Sequence, residues 1–164
     1  MKKYKVGIVP GSFDPITLGH VNIIERAAEL CDKVFVAVMI NSDKEYMFEL
    51  SERERIARAA LASFDNVFVI SSSGMLYELC AELCADVIVK GVRNDVDRAY
   101  EEKMAAFNKE HYPEAETLLL DADPALMKMS STFVRELIRN GEPFCDAMPK
   151  GAAFEIEKII NNAF

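Results

Sequence analysis

Pro10-Gly11-Ser12-Phe13-Asp14-Pro15-Ile16-Thr17-Leu18-Gly19-His20 separates two apolar runs of different period. Before it, Lys5-Val6-Gly7-Ile8-Val9 reads as a short buried strand. After it, Val21–Leu30 repeats its apolar residues at helical spacing. Two glycines, two prolines and one imidazole therefore occupy a strand-to-helix turn. In an open α/β sheet, ligands bind beyond the carboxyl end of a strand. A helix start also presents free backbone N–H groups, which favour phosphate. Thr17 fits an N-cap, which puts His20 in the first helical turn facing the same space. The stretch predicts a phosphate-handling nucleotide site.

The alternation continues along the chain. Strand-like runs recur at 34–39, 67–71, 87–89 and 117–120, and amphipathic stretches fall at 19–31, 51–64, 75–84 and 96–111. Ser51-Glu52-Arg53-Glu54 fits a capping box opening the second helix. Helical stretches at 131–140 and 152–161 follow, with Gly141 and Pro143 as a stop signal between them. Five short apolar strands alternating with helices predict a parallel sheet covered on both faces, followed by C-terminal helices. A length of 164 residues fits a single domain over 1–164.

Composition narrows the function. Apolar residues make up 51% and charged residues 28%, and no run approaches the ~20 apolar residues of a membrane span, so a membrane role is not expected. Gly7 and Pro10 interrupt the apolar run behind the amino-terminal lysines, so no secretory core is expected and the cytoplasm is the default. Cys31, Cys80, Cys84 and Cys145 form no CxxC pair and read as buried free thiols of a reducing compartment. A net charge of −8 argues against nucleic-acid binding. Anionic substrates then require cations concentrated in a cleft.

Cations do fall at the expected turns. Lys90-Gly91-Val92-Arg93 follows the fourth strand, and Lys44 lies on the loop leaving the second. Ser130, Ser131 and Thr132 stand at a helix start, where hydroxyls can cap the helix and still turn toward phosphate. Arg135, one turn later, can reach the same anion.

Pro10–His20 resembles the T/HxGH motif of the nucleotidyltransferase superfamily, and its context resembles the phosphopantetheine adenylyltransferase family, which uses Thr17 in place of a first histidine. Met129-Ser130-Ser131-Thr132-Phe133-Val134-Arg135 is similar to the superfamily's second motif, and Lys44 precedes a matching Met47-Phe48 pair. The resemblance spans roughly 5–145 and implies a Rossmann-like sheet in the order 3-2-1-4-5. It implies transfer of the adenylyl group of ATP to 4′-phosphopantetheine, giving dephospho-coenzyme A and pyrophosphate.

Site roles follow from the same resemblance. His20, Lys44 and Arg93 are the implied catalytic residues. Ser12, Lys44, Leu76, Lys90 and Asn108 are implied on the phosphopantetheine side. Ser12, Phe13, Gly19, His20, Gly91, Arg93, Glu101, Leu126, Ser130, Ser131 and Thr132 are implied on the ATP side. Mg²⁺ is implied on the ATP phosphates rather than on protein side chains, and the assembly implied is a homohexamer. Lys90 departs from the usual arginine of its turn, and Arg98 and Ala99 depart from the usual Phe-Glu. Two alternatives stay open: a related nucleotidyltransferase with another phosphate acceptor, and a nucleotide-binding homologue that has lost catalysis.

Overall fold

The computed structural model describes residues 2–162. Five strands, β1 (Tyr4–Gly11), β2 (Cys31–Met39), β3 (Val67–Ser72), β4 (Val87–Val92) and β5 (Glu116–Asp121), form one parallel sheet ordered β3-β2-β1-β4-β5. That is the Rossmann-like arrangement the resemblance implied. The helices are α1 (Leu18–Leu30), α2 (Leu50–Ala60), α3 (Leu76–Leu83), α4 (Asp95–His111), α5 (Ser131–Arg139) and α6 (Lys150–Asn162).

Strand periodicity divides the core between the two faces of the sheet. Val9, Val36, Val38, Val87 and Val89 point to the side covered by α1, α2 and α6, where Ile24, Ile56 and Ile156 are fully buried. Ile8, Ala37 and Ile88, one residue out of phase, point to a smaller core with Leu79 and Cys80 of α3. β1 pairs with β2 as far as Gly11↔Val38, but with β4 only at Gly7↔Val87 and Ile8↔Ile88. Past Ile8 the two central strands part, and a crevice opens where the chain reverses its direction of travel across the sheet.

Several sequence expectations change in detail. Pro10 and Gly11 belong to β1, because the β2 ladder continues through them. The cap of α2 is Glu49 rather than Ser51, and its N–H donates to Glu52 Oε1 at 2.9 Å. Gly141 takes the positive φ of 67° that ends α5, with Gly141 N–H donating to Ile138 O and Glu142 N–H to Leu137 O. Of the four thiols only Cys31 and Cys80 are buried, and burial pushes both up to about 11. Cys84 and Cys145 are exposed, and Cys84 ends α3 in the left-handed region. Among the described residues, no helix is long and apolar enough to cross a membrane.

Candidate active site

The crevice holds a cavity of about 460 Å³ at the carboxyl ends of β1 and β4, within the usual range of small-molecule sites. It brings together thirteen of the fifteen residues to which the resemblance gave a site role: Ser12, Phe13, Gly19, His20, Lys44, Lys90, Gly91, Arg93, Glu101, Leu126, Ser130, Ser131 and Thr132. Leu76 and Asn108 do not line it. Leu76 opens α3 and packs against the smaller core, while Asn108 is buried on α4.

The turn after β1 builds the cavity floor. Phe13 adopts a φ of 48°, and its buried ring lies edge-on to His20 with centroids 5.0 Å apart. A Cβ on Gly11 would stand 3.0 Å from two atoms of that ring, so a larger residue would press the ring by a few tenths of an ångström. His20 closes the start of α1: the Thr17 N–H donates to His20 Nδ1 at 3.0 Å. With Nδ1 accepting, the proton of the neutral ring sits on Nε2. Burial, helped by the charge of Arg93, depresses His20 to about 4. At neutral pH this imidazole is an uncharged donor.

α5 approaches from the other side. Ser130 Oγ accepts the Phe133 N–H at 3.1 Å and caps the helix, whereas Ser131 Oγ donates to Pro15 O at 2.8 Å. Arg135 donates to Asp14 O at 2.8 Å and to Thr132 Oγ1 at 3.1 Å. The N-termini of α1 and α5 therefore both open on the cavity, and each favours an anion.

The side-chain charges are more balanced than the sequence suggested. Lys44, Lys90, Arg93 and Arg135 line the cavity, but so do Asp14, Asp97, Glu101 and Asp123. Lys90 Nζ lies 2.9 Å from Glu101 Oε2. Arg93 donates from Nε to Asp97 Oδ2 at 3.1 Å and from its backbone N–H to the same oxygen at 3.2 Å. Lys44, on an exposed loop, forms no ion pair among the described residues. Two helix starts thus add to the side-chain cations, of which Lys90 and Arg93 are held in place by carboxylates.

Three residues important to this geometry went unassigned in the sequence. Asp97 fixes Arg93, and its position three residues after the Asn94 cap of α4 was the available signal. Asp14 and Arg53 hold the loop carrying Lys44. Their partners are backbone groups of remote segments, which leave no local pattern.

The chain is similar along nearly its whole length to known proteins. A family profile described as Cytidylyltransferase-like matches residues 8–137. Proteins named phosphopantetheine adenylyltransferase are 42% identical to this chain in Streptococcus gordonii, covering 94% of each chain, and 40% identical in Lactobacillus acidophilus, covering 96% of this chain and 98% of the relative. A third, from Clostridium perfringens, is 39% identical over 96% of both. A crystal structure provisionally named a nicotinate-nucleotide adenylyltransferase, from Vibrio parahaemolyticus, superposes with a TM-score of 0.71 at 20% identity. It covers 95% of this chain and 99% of its own, a likeness of fold. With a full-length match at this identity and a nucleotidyltransferase sheet around the cavity, the chain belongs to the cytidylyltransferase-like nucleotidyltransferases and, within them, to the phosphopantetheine adenylyltransferase family.

Proposed function

We propose that the cavity between β1 and β4 is where this enzyme transfers the adenylyl group of ATP to 4′-phosphopantetheine. A phosphate oxygen of the acceptor attacks the α-phosphorus, the bond from that phosphorus to the bridging oxygen breaks, and pyrophosphate leaves with the electron pair. The acceptor is already an anion, so no protein nucleophile is needed. The work is alignment and stabilisation of charge on the pentacoordinate phosphorus. The observation that carries the reading is the convergence of His20, Lys44, Arg93 and two helix N-termini on one cavity.

In this reading the neutral His20 donates its Nε2–H to an oxygen of the transferred phosphoryl group. Lys44, which has no carboxylate partner among the described residues, binds the attacking phosphate, and Arg93, held by Asp97, meets the nucleotide phosphates. Ser12, Phe13, Gly19, Gly91, Glu101 and Leu126 complete the nucleotide side. The start of α5 at Ser130, Ser131 and Thr132 faces the departing pyrophosphate. Lys90 faces the acceptor. Glu101 and Asn108 are seven residues apart, roughly 10 Å along α4, so an extended pantetheine arm can pass from the cavity toward Asn108 and Leu76. Magnesium enters as part of the MgATP substrate. Asp97 and Glu101 already engage Arg93 and Lys90, so the ion is carried by phosphates and water.

The reading extends to a cytoplasmic homohexamer. Free buried thiols at Cys31 and Cys80 support a reducing compartment. Val96, Tyr100, Met104 and Phe107 form an exposed apolar stripe at helical spacing on α4, which supports self-association. Light scattering that gives a mass other than six chains overturns the hexamer alone. Incubation with MgATP and 4′-phosphopantetheine, with pyrophosphate and dephospho-coenzyme A measured together, tests the activity. Both products are expected. Pyrophosphate only with a nicotinamide or glycerol phosphate acceptor, or with none, refutes the assignment.

A further inference from the structure

We propose that Asp14 and Arg53 are positioning residues that clamp the Lys44 loop onto the His20 turn, so that the two sides of the reacting phosphorus keep a fixed separation. This rests on the adenylyl-transfer reading. Asp14 is buried, and its carboxylate accepts the Met47 N–H at 2.9 Å and the Phe48 N–H at 3.0 Å. Arg53, buried on α2, grips the same loop from the opposite polarity, donating from Nε to Phe48 O at 3.2 Å. Its Nη1 donates to Ser12 O at 2.8 Å and to Met39 O at 3.1 Å, joining the turn, the end of β2 and the loop. The guanidinium carbon lies 3.9 Å from the centre of the Tyr46 ring. On the far side of the turn, Arg135 takes Asp14 O at 2.8 Å, with its Nη1 4.0 Å from Asp14 Oδ2. The turn is thus suspended between two arginines, and the loop is pinned to it at Phe48 by both its N–H and its C=O.

Such a network is a costly way to obtain stability, because buried charges lose their hydration and apolar groups of equal volume often do as well. It does fix relative position. Lys44 is three residues from Met47, a tether of about 10 Å at full extension. With Met47 and Phe48 held, the reach of the Lys44 amine is limited to that tether and its own side chain. Releasing them lets the loop move while His20, capped within its own helix, stays in place.

The test is kinetic and structural. In folded D14N and R53K variants, kcat should fall about 10²-fold while KM for ATP changes by only about threefold, since the misplaced group acts on the reacting phosphorus. K44A should cost at least as much. The D14N/K44A double variant should be no slower than K44A within about twofold, because Asp14 acts through Lys44. Losses that multiply, or folded D14N and R53K with wild-type kcat, overturn the proposal. Hydrogen exchange on the unaltered protein judges the clamp without any variant. The Met47 and Phe48 amides should exchange as slowly as those of β2, and exchange as fast as at Asp43 or Glu45 overturns it. A wild-type protein that exchanges slowly there but makes no pyrophosphate refutes the functional reading and leaves the clamp standing.

Discussion

Replacing His20 with alanine removes two interactions at once, and the geometry allows them to be separated. One is local: Nδ1 accepts the Thr17 N–H at 3.0 Å and completes the first turn of α1. Loss of such a cap costs about 1 kcal/mol, which for a chain of this size lowers Tm by roughly 2–4 °C. The other is the donor on Nε2, turned toward the cavity. Loss of one preorganised donor to a developing oxyanion lowers kcat by about 10²–10³, or roughly 3–4 kcal/mol of transition-state stabilisation. His20 occupies the third helical position, where glutamine is a natural partner for the cap N–H. H20Q should therefore restore most of the melting temperature. It should remain at least about tenfold slow, because a flexible amide does not hold its donor where the rigid ring does. Calorimetric melts and pyrophosphate release under saturating substrates measure the two effects separately. H20A with wild-type kcat removes the imidazole from the chemistry. H20Q recovering both Tm and kcat shows that the ring serves only to begin the helix.

The pH dependence of stability follows from the same ring. Unfolded His20 takes up a proton near pH 6.5 and folded His20 only near 4, so its contribution is complete above 6.5 and is lost as pH falls toward 4. Denaturant titrations should show the wild type about 1–2 kcal/mol less stable at pH 5 than at pH 7 relative to H20Q; equal pH slopes contradict the neutral, desolvated ring. K90R should lower KM for phosphopantetheine, since a forked guanidinium can keep the Glu101 contact and offer further donors; unchanged KM for both substrates places Lys90 outside the site. Two glycines should separate packing from binding. A Cβ on Gly91 would stand 3.0 Å from Ile23 Cγ1, so G91A should cost about 1–3 kcal/mol in a thermal melt. A Cβ on Gly19 meets nothing closer than 3.6 Å, so G19A should melt as the wild type while raising KM for ATP, and an unchanged KM argues against phosphate passing over that backbone.

The parts of the site that were legible in the sequence are those whose cause is local. A strand, a turn rich in Gly and Pro, a threonine cap and a histidine three residues later are contiguous, and the structure sets them at the mouth of β1. Strand order is not local, and it came only from the resemblance. The start of α2 shows why the residue pattern alone misleads. Ser51 and Glu54 have the spacing of a cap, but Asp14, more than thirty residues earlier, holds the Met47 and Phe48 amides, and the helix opens at Glu49. The pairing of Lys90 with Glu101 joins residues eleven positions apart on a strand and a helix, so no local pattern in the sequence showed that this cation is held by a carboxylate.

The early parting of β1 from β4 gives this sheet four borders instead of two. Besides the outer flanks of β3 and β5, a short inner margin of β1 faces a matching margin of β4, both released from the ladder past Ile8 and Ile88. Exposed margins usually invite other chains to pair with them. Here they line a cavity of about 460 Å³ bordered by the starts of α1 and α5, a space of the size that small molecules fill. Gly11 and Gly91 lie on these margins and line the cavity, where they offer main chain bare of any side chain. A guest held there is recognised by groups that amino-acid replacement along the strands leaves unaltered.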